Sequence, residues 1–124
     1  MKFRLPVFLL AVVAPGVANA MPVNDFIAKA DALEAKGMMA MFSGDLKTLT
    51  AAIKSDANAL KAEREAAKAA NRTPAYCPPG PVKMGSKEIF QAMRAVPPQD
   101  RPRTDTRDVL RAHLAKQYPC SSSR

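Results

Sequence analysis

Residues 46–70 read LKTLTAAIKSDANALKAEREAAKAA, a run with neither Pro nor Gly. Leu46, Leu49, Ile53, Ala57 and Leu60 recur at three- and four-residue spacings, which puts them on one face of a helix. Lys47, Lys54, Lys61, Glu65 and Lys68 supply a polar face. Beyond Leu60 the apolar stripe shrinks to Ala67 and its neighbours. That stretch has strong intrinsic helix propensity and little to bury. Ser43-Gly44-Asp45 offers a helix start, and Asn71 before Arg72-Thr73-Pro74 offers a stop. A helix over 45–70 is about 39 Å long. It either projects past the core or packs an Ala face closely on another segment.

On the N-terminal side, Asn24-Asp25 places a capping side chain and a carboxylate at a helix start. Phe26, Ala30 and Leu33 share a face, and Gly37 ends or kinks this first helix, about 25–36. The run Met38-Met39-Ala40-Met41-Phe42 joins it to the long helix. On the C-terminal side, Thr73 to Pro81 contains four Pro and one Gly, which excludes helix and central strand. This segment is a stiff connector, 73–81. Ser86 caps a third helix, about 87–95, with Ile89, Phe90 and Met93 inward. Pro97-Pro98 ends it, and Gln99 to Arg103 forms a basic loop. Thr104 or Asp105 caps a fourth helix, about 106–117, with Val109, Leu110 and Leu114 on its apolar face. Tyr118-Pro119-Cys120 closes the fold, and Ser121 to Arg124 fray. No segment shows strand alternation. The class is all-α: a small four-helix bundle-like domain spanning 21–124.

Residues 1–20 stand apart. Met1-Lys2-Phe3-Arg4 is a positive n-region, Leu5 to Val17 is apolar and Ala18-Asn19-Ala20 is a small-x-small cleavage site, which is the pattern of a cleaved secretory signal peptide. The apolar part is shorter than a membrane-spanning helix and carries Pro6 and Pro15. The expected location is periplasmic or secreted. Loss of Lys2 and Arg4 takes two charges from a formal +8. A chain of 124 residues excludes a large multidomain enzyme, and the leader excludes a cytosolic role. The aromatic residues after the leader are Phe26, Phe42, Tyr76, Phe90 and Tyr118, and Ala is abundant, so the core margin is thin. Cys77 and Cys120 are the chain's two cysteines, and in an oxidising compartment they admit one intramolecular pairing. Their separation is too long for a redox motif, and two cysteines with one histidine fall short of a zinc site. A structural disulfide is expected.

Catalysis finds little support. His113 is the chain's single imidazole, and no nucleophile-bearing turn accompanies it. It reads as a partly buried packing residue. Asp25, Asp31, Glu34, Asp45 and Asp56 read as helix starts and solvated faces rather than an acid–base pair. No catalytic residue, cofactor or metal ligand is assigned. Met38, Met39 and Met41 have the thioethers that Cu(I) takes, yet a flexible apolar run between helices is more often core filler, or else a protein-contact patch. Arg101, Arg103, Arg107 and Arg111 cluster with Asp100, Asp105 and Asp108, so much of this charge is expected to be paired locally. Nucleic acid is a poor partner for an exported chain without interleaved aromatics. Anionic envelope polymers, anionic lipid or an acidic protein surface suit the charge better.

Tyr76-Cys77-Pro78-Pro79, Val82, Ile89-Phe90, Val109-Leu110, Leu114 and the closing Tyr118-Pro119-Cys120 together resemble the Tai-type immunity protein family. In that family a Cys-Pro element and a terminal aromatic-Pro-Cys bracket two helices. The resemblance covers residues 76–120. It implies a small exported all-α protein with a disulfide-tied core that inhibits peptidoglycan amidases delivered by type VI secretion, often as a homodimer.

The sequence therefore leads to a non-enzymatic periplasmic binding protein, an immunity-type inhibitor that occludes a secreted cell-wall amidase. A rigid loop loses little entropy on binding. Tyr76, Pro78 and Pro79 are expected to be exposed on such a loop, flanked by Arg101 and Arg103 if the disulfide brings the two regions together. The alternative is a structural envelope protein that holds anionic polymers or lipid through its basic helices.

Overall fold

A computed structural model describes residues 20–121. The expected leader through residue 19 and the last three residues lie outside the described residues. Four helices follow in order: α1 Val23–Lys36, α2 Gly44–Ala69, α3 Ser86–Arg94 and α4 Thr106–Gln117. Short 3-10 turns occupy Gly37–Phe42 and Arg101–Arg103. No strand is present among the described residues. The expected four-helix, all-α class holds, and element ends agree to within two residues.

The helix starts are built differently from expectation. Only α2 has a side-chain cap among the described residues: Ser43 Oγ accepts from the Asp45 N–H at 3.2 Å. α1 begins at Val23, before the Asn24-Asp25 pair, and α4 has no side-chain cap from Thr104 or Asp105. Instead the two N-termini satisfy each other. The Val23 N–H donates to the Thr104 carbonyl, and the Thr106 N–H donates to the Met21 carbonyl, both at 2.9 Å. This exchange is an isolated antiparallel bridge, Pro22 opposite Asp105. It satisfies the first of the four orphan donors at each of these two helix starts and ties the start of α1 to the start of α4.

The helix ends follow their sequence cues. Gly37 has φ +55°, a conformation that L side chains rarely adopt, and it terminates α1. Asn71 also has φ +55°. Its N–H donates to Lys68, and that of Arg72 to Ala67, the paired bonds of a Schellman stop.

Packing runs round a ring in the order α1, α2, α4, α3, with each helix against its two neighbours. The core is Val23, Phe26, Ala30 and Leu33 from α1, Leu49 and Leu60 from α2, Met93 from α3, Leu110 and Leu114 from α4, and Tyr76 from the Pro-rich segment. Phe26 and Phe90 meet with ring centroids 5.6 Å apart. Asp56 is 2% exposed in the middle of α2. Thr106, itself fully buried, donates its hydroxyl to Asp56 Oδ2 at 2.6 Å, and Arg107 Nε reaches Oδ1 at 3.3 Å. Asp56 is thus a structural core residue and not part of a solvated face. Ala57, placed by periodicity on the buried stripe, is exposed. The buried line on α2 is Leu49, Asp56, Leu60 and Ala67, with Ile53 half-buried beside it.

Cys77 and Cys120 form the expected disulfide, with Cα atoms 4.9 Å apart. A formed disulfide is at home in an oxidising, extracytoplasmic environment. Among the described residues no helix is long and apolar enough to cross a membrane.

Two stability effects follow. Cys77→Ser or Cys120→Ser removes a cross-link over a separation of 43 residues and lowers stability by about 2–4 kcal/mol, a fall of about 10 °C or more in thermal midpoint. Asp56→Ala leaves Thr106 and Arg107 without their buried acceptor and costs about 2–4 kcal/mol in urea unfolding. A change at an exposed mid-helix acid without an ion pair, Glu65→Ala, stays within about 0.5 kcal/mol.

Candidate functional site

The expected site residues are not brought together. Tyr76 is 4% exposed and belongs to the core. The disulfide and a 2.8 Å bond from the Cys77 N–H to the Tyr118 carbonyl hold the chain beside the end of α4. The preceding residue is thereby turned inward against α2. The Arg64 guanidinium lies 5.4 Å from the Tyr76 ring centroid, a cation–π distance. The late turns of α2 therefore do not project freely: residues 72–76 fold back along Leu60, Arg64 and Ala67. Pro78 is half-buried, and Pro79 alone of the three loop candidates is exposed.

Arg101 and Arg103 sit at the opposite end of α4 from the disulfide, separated by a twelve-residue helix, about 18 Å long. The disulfide cannot bring them to the Pro-rich loop. Arg101 also has other work: its Nε donates to the Val96 carbonyl at 2.9 Å and its Nη2 to the Arg94 carbonyl at 3.0 Å, closing the turn after α3. Arg103 remains exposed, with Asp100 at 3.7 Å.

The rest of the basic cluster is paired, but chiefly with acids of α2 rather than with the interleaved ones: Arg107 with Asp56, and Arg111 with Glu63, Asp108 being the one interleaved acid it reaches. Arg111 binds Glu63 through two nitrogens at 2.9 and 3.0 Å and also reaches Asp108. The Glu63 hydrogen bond leads in raising its pKa above the ordinary guanidinium value. Arg94 bonds to Asp31 at 2.8 Å and to Glu34 at 3.2 Å, joining α3 to α1, and its pKa is raised chiefly by Asp31. His113 is partly buried as expected, with Nε2 2.7 Å from Glu88 Oε1, linking α4 to α3. No group of three or more His, Cys, Asp or Glu gathers among the described residues.

Two apolar surfaces remain open. The first is the turn between α1 and α2. Met38, Met39, Met41 and Phe42 are 66–89% exposed, so the run is not core filler. The sequence signal for this was the Gly37 stop, which opens a short turn in which Ala40 packs on the core while the larger side chains face out.

The second is a groove between α2 and α3. Ile53 and Ala57 line one side, and Met84 and Ile89 line the other. Phe26 and Leu33 of α1 and Leu110 and Leu114 of α4 lie beneath. Toward the disulfide it is bounded by Tyr76, Gly80 and Pro81. Its charged lining residues are all cations: Lys54, Lys61 and Arg64. None of the three pairs with a carboxylate among the described residues.

Because Tyr76 is buried, Tyr76→Ala destabilises the fold by about 3–5 kcal/mol, the range for deleting a buried aromatic ring, whereas Pro79→Ala, at an exposed site, stays within about 0.5 kcal/mol. Thermal unfolding of the two variants separates a core residue from a presented one. No family model, curated protein or solved structure matches this chain.

Proposed function

We propose that the protein is an extracytoplasmic, non-enzymatic binding protein that works by covering a protein partner with the turn between α1 and α2. The exposure of Met38, Met39, Met41 and Phe42 carries this reading. Contiguous exposed apolar side chains are costly in water unless a partner covers them. Methionine suits such a face because its unbranched, polarisable side chain adapts to varied surfaces. The leader-like N-terminus and the disulfide support a periplasmic or secreted setting.

Within this reading, the resemblance of residues 76–120 to immunity proteins points to a secreted peptidoglycan amidase as the partner, blocked by occlusion. The contact surface shifts from the Pro-rich loop to the Met-rich turn. The same patch can pair with a second copy to form a homodimer. The structural-envelope alternative has lost most of its arginines to internal pairs. It keeps the row Lys47, Lys54, Lys61 and Lys68, which recurs every seven residues along α2.

A pull-down from envelope extract with the exported, disulfide-intact protein tests both. Phe42→Ser combined with Met38→Ser and Met41→Ser leaves thermal unfolding nearly unchanged and weakens partner capture at least tenfold. Capture by the parent protein persists at raised salt, and a captured amidase loses peptidoglycan hydrolysis when the protein is added. Recovery of peptidoglycan or lipid alone, lost at a few hundred millimolar salt and sensitive only to the lysine row, contradicts the reading.

A further inference from the structure

The groove between α2 and α3 is made of different residues from the Met-rich turn, and its occupant is a separate question. It consists of two adjoining hollows of about 560 and 360 Å³ that share Ile53, Ala57, Met84 and Ile89. These volumes fall in the range of small-ligand sites. Its walls are apolar, yet its charge is one-sided. Lys54 and Lys61 are exposed at the rim, whereas Arg64 is half-buried at the end nearest the disulfide.

Arg64 is held in a particular way. Its guanidinium packs over Tyr76, which fixes the side chain without neutralising it. Its Nε is buried and has no hydrogen-bond partner among the described residues. Buried polar atoms are rarely left so. Nε itself is closed off, but the guanidinium has no carboxylate partner among the described residues, so an anion that meets its terminal nitrogens pairs with a fixed, unspent cation. The far end of the groove, at Leu33, Leu46 and Phe90, is mainly apolar, with Thr50, Ser86 and Lys54 exposed at its edge. Exposed rim lysines raise the local concentration of anions, but the half-buried charge is confined to one end. That polarity fits a ligand with one anionic end and an apolar body.

We propose that this groove binds a free long-chain fatty carboxylate. Its carboxylate sits at Arg64, with Lys61 alongside, and its chain lies along Ile53, Met84 and Ile89 toward Leu46. An acidic amphipathic helix fits less well, because it carries charge along its whole length and Tyr76, Gly80 and Pro81 stand at one end of the groove.

Calorimetric titration of the exported, disulfide-intact protein with palmitate, below its micelle-forming concentration, tests the assignment. Binding is expected at one molecule per chain. Affinity falls about twofold to fourfold for each methylene removed on the way to decanoate. Hexadecanol and hexadecyltrimethylammonium bind at least tenfold more weakly. Arg64→Gln weakens palmitate at least tenfold while leaving hexadecanol unchanged, a difference that loss of fold would not produce. Ala57→Glu, at an exposed helix position, sets a carboxylate in the groove and abolishes palmitate binding without lowering the thermal midpoint. Equal affinity for the quaternary ammonium, affinity independent of chain length, or indifference to Ala57→Glu overturns the proposal. So does binding to phosphatidylglycerol vesicles alone, or tight binding of an acidic helical peptide by a protein that ignores palmitate.

Discussion

The buried carboxylate of Asp56 is the constraint around which the rest is arranged. An ionised carboxylate in a small apolar core is costly unless it is paired and hydrogen-bonded. Thr106 and Arg107, from the first turn of α4, supply those bonds. The start of α4 is thereby held against the middle of α2. The start of α1 comes with it, because Met21 and Thr104 accept the N–H groups that open α4 and α1. Three helices are fixed by one polar cluster, at a place where Leu or Ile alone would leave their register free to slide.

That cluster also decides which side of α2 stays open. With Leu49, Asp56, Leu60 and Ala67 turned inward, Ile53, Ala57 and Arg64 fall on the adjoining strip of the helix, and the lysine row lies beyond them. At the other end of the molecule the disulfide brings the Pro-rich segment back onto α2 and drives Tyr76 beneath Arg64. The two constraints together leave an apolar groove bounded at one end by a fixed cation. Paired arginines elsewhere stiffen the frame without adding free charge to it.

Much of the architecture was legible in the sequence. Gly37, Asn71 and the prolines mark where helices stop, and three- and four-residue spacings identify the helices between them. Two cysteines with one pairing made the cross-link readable. What escaped was the direction in which residues face. Periodicity placed Ala57 on the buried stripe, yet Asp56, one position earlier, completes the line Leu49, Ile53, Asp56, Leu60. A charged residue in register with an apolar stripe was the available signal, and polarity alone argued against it. The loop-forming neighbours of Tyr76 suggest a surface position for it. Only the disulfide and the Cys77–Tyr118 bond show that it points inward. The groove joins residues from all four helices and the 80–84 segment, so no local pattern announces it.

Central to this account is the division of α2 between a buried face and an open apolar face. Methyl NMR spectra of the exported protein labelled at Ile and Met, recorded with and without palmitate, test it most directly. The account predicts shifts at Ile53, Met84 and Ile89, which line the groove, and none at Met93, which is fully buried in the core. Shifts confined to Met38, Met39 and Met41, or no shift at Ile53 and Ile89, would contradict it.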